Sequence, residues 1–167
     1  EAFVSTNVTG TRVLLDESLA WWRGLHGIER DEFRFLHIST DEVFGSADEG
    51  TQFDENSPYN PSSPYAASKA AADHLVRAWN RTYGLPVMIT HSANNYGPFQ
   101  FPEKLIPHMI LRALRSETLP LYGDGGNVRD WIHVEDHCAA LETVLERGIE
   151  GASYCITAAE PRTNLEI

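Results

Sequence analysis

The sequence predicts an α/β fold built around a parallel sheet. Three observations predict it. Strand-like and helix-like segments alternate along the chain. Two short apolar runs, 33–39 and 86–91, read as buried strands, the first ending in polar residues. No internal repeat, low-complexity tract or long linker interrupts the alternation.

Each element has its own signal. Residues 2–24 read as a helix, with Phe3, Val4, Val8, Leu14, Leu15, Leu19 and Trp22 as its apolar positions. Residues 33–39 form the first strand. A loop rich in Asp, Glu, Ser, Pro and Gly covers 45–64. Residues 65–83 read as a helix that stops at Gly84, a C-cap. Residues 86–91 form the second strand. Residues 103–116 read as a helix with Pro107 near its start or kinking it. A short strand at 119–122 precedes the turn Gly123-Asp124-Gly125-Gly126. An extended piece at 129–134, a helix at 135–147 and a strand at 153–157 complete the pattern.

The bulk numbers exclude several classes. At 167 residues the chain is one domain or a piece of a larger one. Hydrophobic residues make up 42% and charged residues 22%, as in soluble globular proteins. No apolar run approaches the ~20 residues of a membrane helix, so no membrane partner is expected. Glu1-Ala2-Phe3-Val4 shows no signal-peptide pattern and no initiating Met, so the chain reads as an internal segment. The net charge of −11 argues against nucleic acid. A local basic patch can still hold a small anionic ligand. Cys138 and Cys155 form no close-spaced pair and read as buried small residues in a reducing compartment, here the cytoplasm. Asn7-Val8-Thr9 and Asn80-Arg81-Thr82 match the glycosylation pattern by chance.

Four groups of residues carry chemistry. In Tyr65-Ala66-Ala67-Ser68-Lys69, residues four apart share a helix face. A nearby ammonium favours a phenolate, so Lys69 would lower the pKa of Tyr65 and make it a base for a sugar hydroxyl. The spacing alone is common, and an exposed Lys on an amphipathic helix satisfies it equally. Ser39-Thr40-Asp41-Glu42-Val43-Phe44-Gly45 begins where a strand ends, the usual place of ligand sites in parallel sheets. Its adjacent carboxylates suit an acid and a base, and they also fit a solvated acidic turn. Asn94-Asn95-Tyr96-Gly97-Pro98 offers amide donors and acceptors, or is a plain turn. Lys104 and Arg129 could meet phosphates, Lys as a point charge and Arg as a planar fork. His133 and His137 stand four apart, but one falls in the extended piece and the other on the helix, so no metal site is expected.

Taken together and in this order, the motifs resemble the dTDP-glucose 4,6-dehydratases. The stretches that carry the resemblance are Thr6-Asn7 with Gly10-Thr11, Ser39 to Gly45, Ser63-Pro64-Tyr65 with Ser68-Lys69-Ala70, Thr82 to Pro86, Asn94 to Pro98, Pro102 to Pro107, Leu119-Pro120 with Tyr122 to Gly125, Asn127, Arg129-Asp130-Trp131 and Val134 to His137. They span nearly the whole chain, and the Thr-Asp-Glu triplet is the most discriminating of them.

The resemblance implies a Rossmann-like, doubly wound parallel sheet, present in part, with part of a smaller C-terminal substrate-binding domain. It implies a cofactor-binding portion over 1–100 and, over 101–167, a mixed segment that adds to the nucleotide-sugar domain and supplies the last Rossmann elements. It implies NAD as cofactor and a nucleotide-activated hexose as substrate, oxidised at C4, dehydrated across C5 and C6, and reduced at C6. Tyr65 would take the 4-hydroxyl proton, and Lys69 would hold the nicotinamide ribose and tune Tyr65. Thr40 would hydrogen-bond near the 4-hydroxyl. Glu42 would remove the C5 proton and Asp41 would protonate the departing C6 hydroxyl. Asn94, Lys104, Leu105, Pro120, Tyr122, Arg129 and Asn164 resemble nucleotide-sugar contacts. Thr6 and Asn95 resemble cofactor contacts. A homodimer through the helices at 2–24 and 65–83 is implied, with Leu15, Leu19, Leu75 and Trp79 contributing.

The sequence also departs from the family pattern. His91-Ser92-Ala93 replaces the usual Arg-Cys-Ser, and Ala93 lacks a hydroxyl expected near the nicotinamide. No Gly-x-Gly-x-x-Gly loop occurs, and Gly123-Asp124-Gly125-Gly126 has the wrong spacing. The resemblance puts that loop and the first strands before residue 1, and further substrate-domain residues after Ile167. The fragment alone is therefore expected to be inactive. The alternatives are an epimerase or decarboxylase of the same superfamily, and a nucleotide-sugar-binding fragment without turnover.

Overall fold

The structure, a computed structural model, describes residues 1–46, 52–121 and 123–167. It divides into two compact units. The first comprises Glu1–Ser92 and Leu141–Cys155, the second Ala93–Ala140 and Ile156–Ile167.

In the first unit a three-stranded sheet has the order β1 (Phe35–Thr40), β2 (Val87–Ser92), β5 (Ser153–Ile156). β1 and β2 run parallel, with His37 beside Ile89 and Ser39 beside His91. The crossover between them contains α3 (Pro64–Tyr83). Ser63 caps this helix through its hydroxyl, which accepts from the Ala66 N–H at 3.0 Å, and Pro64 occupies the first turn. Gly84 ends it in the left-handed conformation, at φ 74°, with its N–H on the Asn80 carbonyl. Every residue of β2 is buried.

Residues 2–24 are helical as the apolar spacing predicts. Val4–Gly10 is π-wound, however, and only Thr11–Gly24 (α1) is a regular α-helix of length. A short helix, α2 (Ile28–Glu32), follows. Leu15 and Leu19 of α1 pack with Val76, Leu85, Val87 and Ile89 in one core cluster, flanked by Leu75 and Trp79. This corrects the dimer contacts expected of Leu15 and Leu19. Leu15 is 0% exposed, so its energy goes into the core of its own unit. A second cluster gathers Val43, Phe44 and Ala70 against Phe53, Tyr59 and Cys155.

In the second unit the sheet order is β3 (Asn94–Tyr96), β4 (Val128–His133), β6 (Pro161–Thr163). β3 is parallel to β4 and β6 antiparallel to it. α4 is Leu105–Leu114, and Pro107 sits in its first turn, where backbone N–H groups lack intrahelical partners. The strand expected at 119–122 is not found over 119–121, and residue 122 lies outside the described residues. Leu119 and Leu121 are half-exposed, and the Thr118 carbonyl accepts from the Arg112 side chain instead of a strand. α5 (Val134–Arg147) begins in this unit and ends in the first. Cys138, on α5, is exposed and not buried as expected, and Cys155 is half-buried; both are free thiols. No helix among the described residues is long and apolar enough to cross a membrane.

Candidate active site

The C-terminal end of β1 carries the acidic motif of the first unit. β1 ends at Thr40, and Asp41–Phe44 form one 3-10 turn. Thr40 caps that turn, its hydroxyl accepting from the Glu42 N–H at 3.3 Å while lying 3.3 Å from Asp41 Oδ1. Val43 and Phe44 are buried and anchor the turn, whereas Glu42 stays exposed. Gly45 closes it at φ 91°, where a side chain would collide with the Asn60 carbonyl.

α3 presents Tyr65, Lys69 and Asp73 at successive i, i+4 positions, so one helix face carries all three. The Lys69 ammonium donates to the Ile38 carbonyl at 2.7 Å. The π-wound segment joins the same helix: Asn7 donates to the Ser68 hydroxyl at 2.9 Å, and Ser68 donates to the Tyr65 carbonyl at 2.7 Å. The Phe3 ring meets Tyr65 edge-on at 5.7 Å.

Tyr65 senses the acids directly. Burial pushes its phenol above the usual range, and the charges of Glu42 and Asp41 push it further the same way. Burial pushes the Lys69 ammonium down, while the Asp73 charge opposes that shift. The expected direction for Tyr65 is thereby reversed. Lys69 spends its hydrogen bond on the strand, and burial first, then Glu42 and Asp41, set the direction at the phenol. Tyr65, Asp41 and Glu42 nevertheless form one electrostatically connected cluster.

The second unit holds a cleft of about 760 Å³, a size suited to a small molecule. Asn94 and Asn95 on β3, Arg129 and Trp131 on β4, Lys104, Leu105 and His108 at the start of α4, and Asn164 all line it. Lys104 and Arg129, one carboxylate (Glu103) and several amides line one concavity, an excess of one positive charge that suits a phosphorylated polar ligand. Lys104 is exposed at the helix start, and Arg129 donates to its neighbouring Val128 carbonyl at 2.8 Å.

The predicted site residues thus separate by unit. Thr40, Asp41, Glu42, Tyr65 and Lys69 come together in the first. Asn94, Asn95, Lys104, Leu105, Arg129 and Asn164 come together in the second. Thr6 sits exposed on the π-wound segment of the first unit, and Pro120 is not among the cleft residues. Tyr122 lies outside the described residues. Trp131, His108 and Gln100 line the cleft without having been singled out as contacts; adjacency to Arg129, Lys104 and the Asn pair was the available signal. His133 ends β4 and His137 lies on α5, and no metal-binding cluster occurs among the described residues.

Comparison with known proteins sharpens this picture. The family model described as GDP-mannose 4,6 dehydratase matches residues 1–166. A dTDP-glucose 4,6-dehydratase of Xanthomonas campestris pv. campestris is 55% identical over 166 residues, covering 99% of this chain and 47% of the relative. A crystal structure of dTDP-glucose 4,6-dehydratase from Bacillus anthracis in complex with NAD superposes with TM-score 0.91 at 46% identity, covering 99% of this chain and 50% of that one. The dTDP-glucose 4,6-dehydratase from Streptomyces venezuelae with NAD bound superposes with TM-score 0.89 at 48% identity, covering 99% and 48%. The fold is therefore the α/β, Rossmann-type parallel-sheet fold of these dehydratases. The chain spans about half the length of the curated relatives it matches.

Proposed function

The chain belongs to the GDP-mannose 4,6 dehydratase family, and from that premise we propose that the full-length protein dehydrates dTDP-glucose to dTDP-4-keto-6-deoxyglucose with NAD as a regenerated cofactor. One observation carries the reading: the helix face of Tyr65 and Lys69 is tied, through Lys69 to the Ile38 carbonyl, to the parallel strand whose end bears Thr40, Asp41 and Glu42. A reaction that oxidises an alcohol and then eliminates water needs a base at the hydroxyl and an acid–base pair at the neighbouring carbons.

The residues fit the ribose–nicotinamide end of NAD. Lys69 has three N–H groups and gives one to Ile38, which leaves donors for ribose hydroxyls. NAD, when bound, would supply the hydride acceptor and donor that this reaction needs. The chain's own residues handle the protons. Tyr65 receives the 4-hydroxyl proton in its phenolate form, which the raised pKa makes the minor form of the free enzyme, and Thr40 orients that hydroxyl. Glu42, exposed on its turn, takes the C5 proton made acidic by the new ketone and returns a proton to C5 once C6 is reduced. Asp41 gives a proton to the departing C6 hydroxyl. In the second unit, Lys104 and Arg129 meet the diphosphate while Asn94, Leu105 and Asn164 line the sugar-nucleotide cleft; by resemblance to the family, Pro120 and Tyr122 are further sugar-nucleotide contacts and Asn95 serves the cofactor. Thr6 serves the cofactor from the first unit.

The same reading divides the chain functionally at about residue 100, with the cofactor portion before it. It also includes a homodimer through α1 and α3, supported by the exposed Leu14 and Trp21 on α1 and Tyr83 on α3. It sets the enzyme in the cytoplasm, in keeping with two free thiols.

The test is product mass from the full-length protein supplied with dTDP-glucose and NAD. Loss of one water from the sugar is expected. Conversion to an isomer of unchanged mass would make it an epimerase, and an unaltered bound sugar would make it a binding protein.

A further inference from the structure

The buried heart of the first unit contains a carboxylate that the proposed proton transfers do not use. Asp73 is 0% exposed. Its Oδ2 accepts from the Ser39 hydroxyl at 2.9 Å and from the Tyr59 hydroxyl at 2.9 Å, and it lies 3.1 Å from His91 Nε2. Its Oδ1 lies 3.1 Å from His37 Nε2, within ion-pair reach but off line for a hydrogen bond. These partners come from separate elements. His37 and Ser39 are on β1, His91 is on β2, and Tyr59 is in the loop leading to α3. Alternation along β1 and the register of Ser39 with His91 put all three strand residues on the sheet face that meets α3.

The protons can be assigned. His91 Nδ1 is buried with no partner, whereas Nε2 lies 2.8 Å from the Tyr59 hydroxyl and 3.1 Å from Asp73. A proton on Nε2 therefore leaves no buried N–H unpaired. Tyr59 then donates to Asp73. Burial disfavours the Asp73 charge, but His37, His91 and Ser39 together hold its carboxyl well below the usual range. Among the described residues the basic side chains within 4 Å of it are the two imidazoles. A wholly buried carboxylate held this way is costly to disturb.

We infer that Asp73 is a positioning residue: through Ser39 it ties the helix face bearing Tyr65 and Lys69 to the strand end bearing Thr40, Asp41 and Glu42. Asp73 lies one turn beyond Lys69, and Ser39 immediately precedes Thr40. The 2.9 Å link therefore sets the offset between the phenol and the acid pair. The inference rests on the dehydratase reading.

The test uses Ser39→Ala, Tyr59→Phe and Asp73→Asn in the full-length enzyme, with single-turnover reduction of NAD and release of water followed separately. Ser39→Ala should slow water release about tenfold, with KM for the sugar unchanged and NAD reduction within about threefold, because a sugar already seated at Tyr65 must then meet the acid pair in register and small misplacements cost rate. Tyr59→Phe removes a bond to the same carboxylate oxygen without touching β1, so it should lower the melting temperature yet keep water release within about threefold. Asp73→Asn, if folded, should exceed the Ser39→Ala defect. Should it not fold, the first two variants decide. Wild-type rates in Ser39→Ala, or an equal defect in Tyr59→Phe, would overturn the positioning role. Wild-type enzyme that releases no water would overturn the dehydratase reading, and this inference with it.

Discussion

The ammonium of Lys69 donates to the main-chain carbonyl of Ile38 across 2.7 Å, so the amine on α3 is fastened to the strand that leads into the Asp41–Glu42 turn. Lys69 thereby serves geometry as well as charge. It holds the first turns of α3 against the end of β1, and its remaining protons stay available to a ligand.

Lys69→Met should lose both services. NAD reduction in a single turnover is expected to fall by about 10²-fold or more, the usual scale for a group acting at the proton-transfer step. Lys69→Arg should not restore the rate, because a planar guanidinium differs from an ammonium in reach and donor geometry. Restoration by Arg to near the wild-type rate would show that charge alone suffices.

Arg129 offers a separable test in the second unit. Arg129→Ala should raise KM for the nucleotide sugar by about 10- to 100-fold, as expected for a charge-assisted contact, with kcat changed far less. Titration of the variant with dTDP alone checks the assignment. Unchanged dTDP affinity would move the phosphate contact elsewhere.

Much of the first unit is legible in the sequence. Gly84 marks the end of α3, and the apolar run from Val87 marks a buried strand. Three features are not legible, each for a physical reason. Asn94–Tyr96 becomes a strand only by pairing with Trp131 to His133, so its turn-like composition misleads. Asp73 in an Ala-rich helix reads as a surface residue, because helical periodicity cannot reveal partners donated by β1 and β2. The direction of the Tyr65 shift depends on burial and on Glu42 and Asp41, while the sequence displays only the neighbouring amine.

Stability should track the same packing. Leu15→Ala removes a fully buried side chain from the main cluster and should cost about 2–5 kcal/mol. Chemical denaturation of the full-length protein checks this. A loss under about 1 kcal/mol would mean the helix detaches at little cost, contrary to the packing described.

Acid sensitivity follows from Asp73. Its carboxyl is held below its unfolded value of about 4. The folded state therefore binds its proton less readily, and the resulting stability is complete above that value and lost as pH falls below it. Asp73→Asn should lower stability at neutral pH and flatten the acid side of the stability curve. An acid limb identical to wild type would remove Asp73 as its source.

The acid pair also bears on the pH dependence of the proposed first step. Burial raises the Tyr65 phenol first, and the Glu42 carboxylate adds to it by disfavouring phenolate. Replacing that charge with a neutral amide should let the phenol ionise at lower pH. In Glu42→Gln the acid limb of the NAD-reduction rate is expected to move to lower pH, and a shift to higher pH would contradict the coupling.

The same variant tests the division of labour most directly. Full-length Glu42→Gln would be mixed with dTDP-glucose and NAD, with reduced cofactor and released water followed in a single turnover. The account predicts that reduction proceeds while water release falls by at least about 10²-fold, so reduced cofactor accumulates. Water release at the wild-type rate would contradict it.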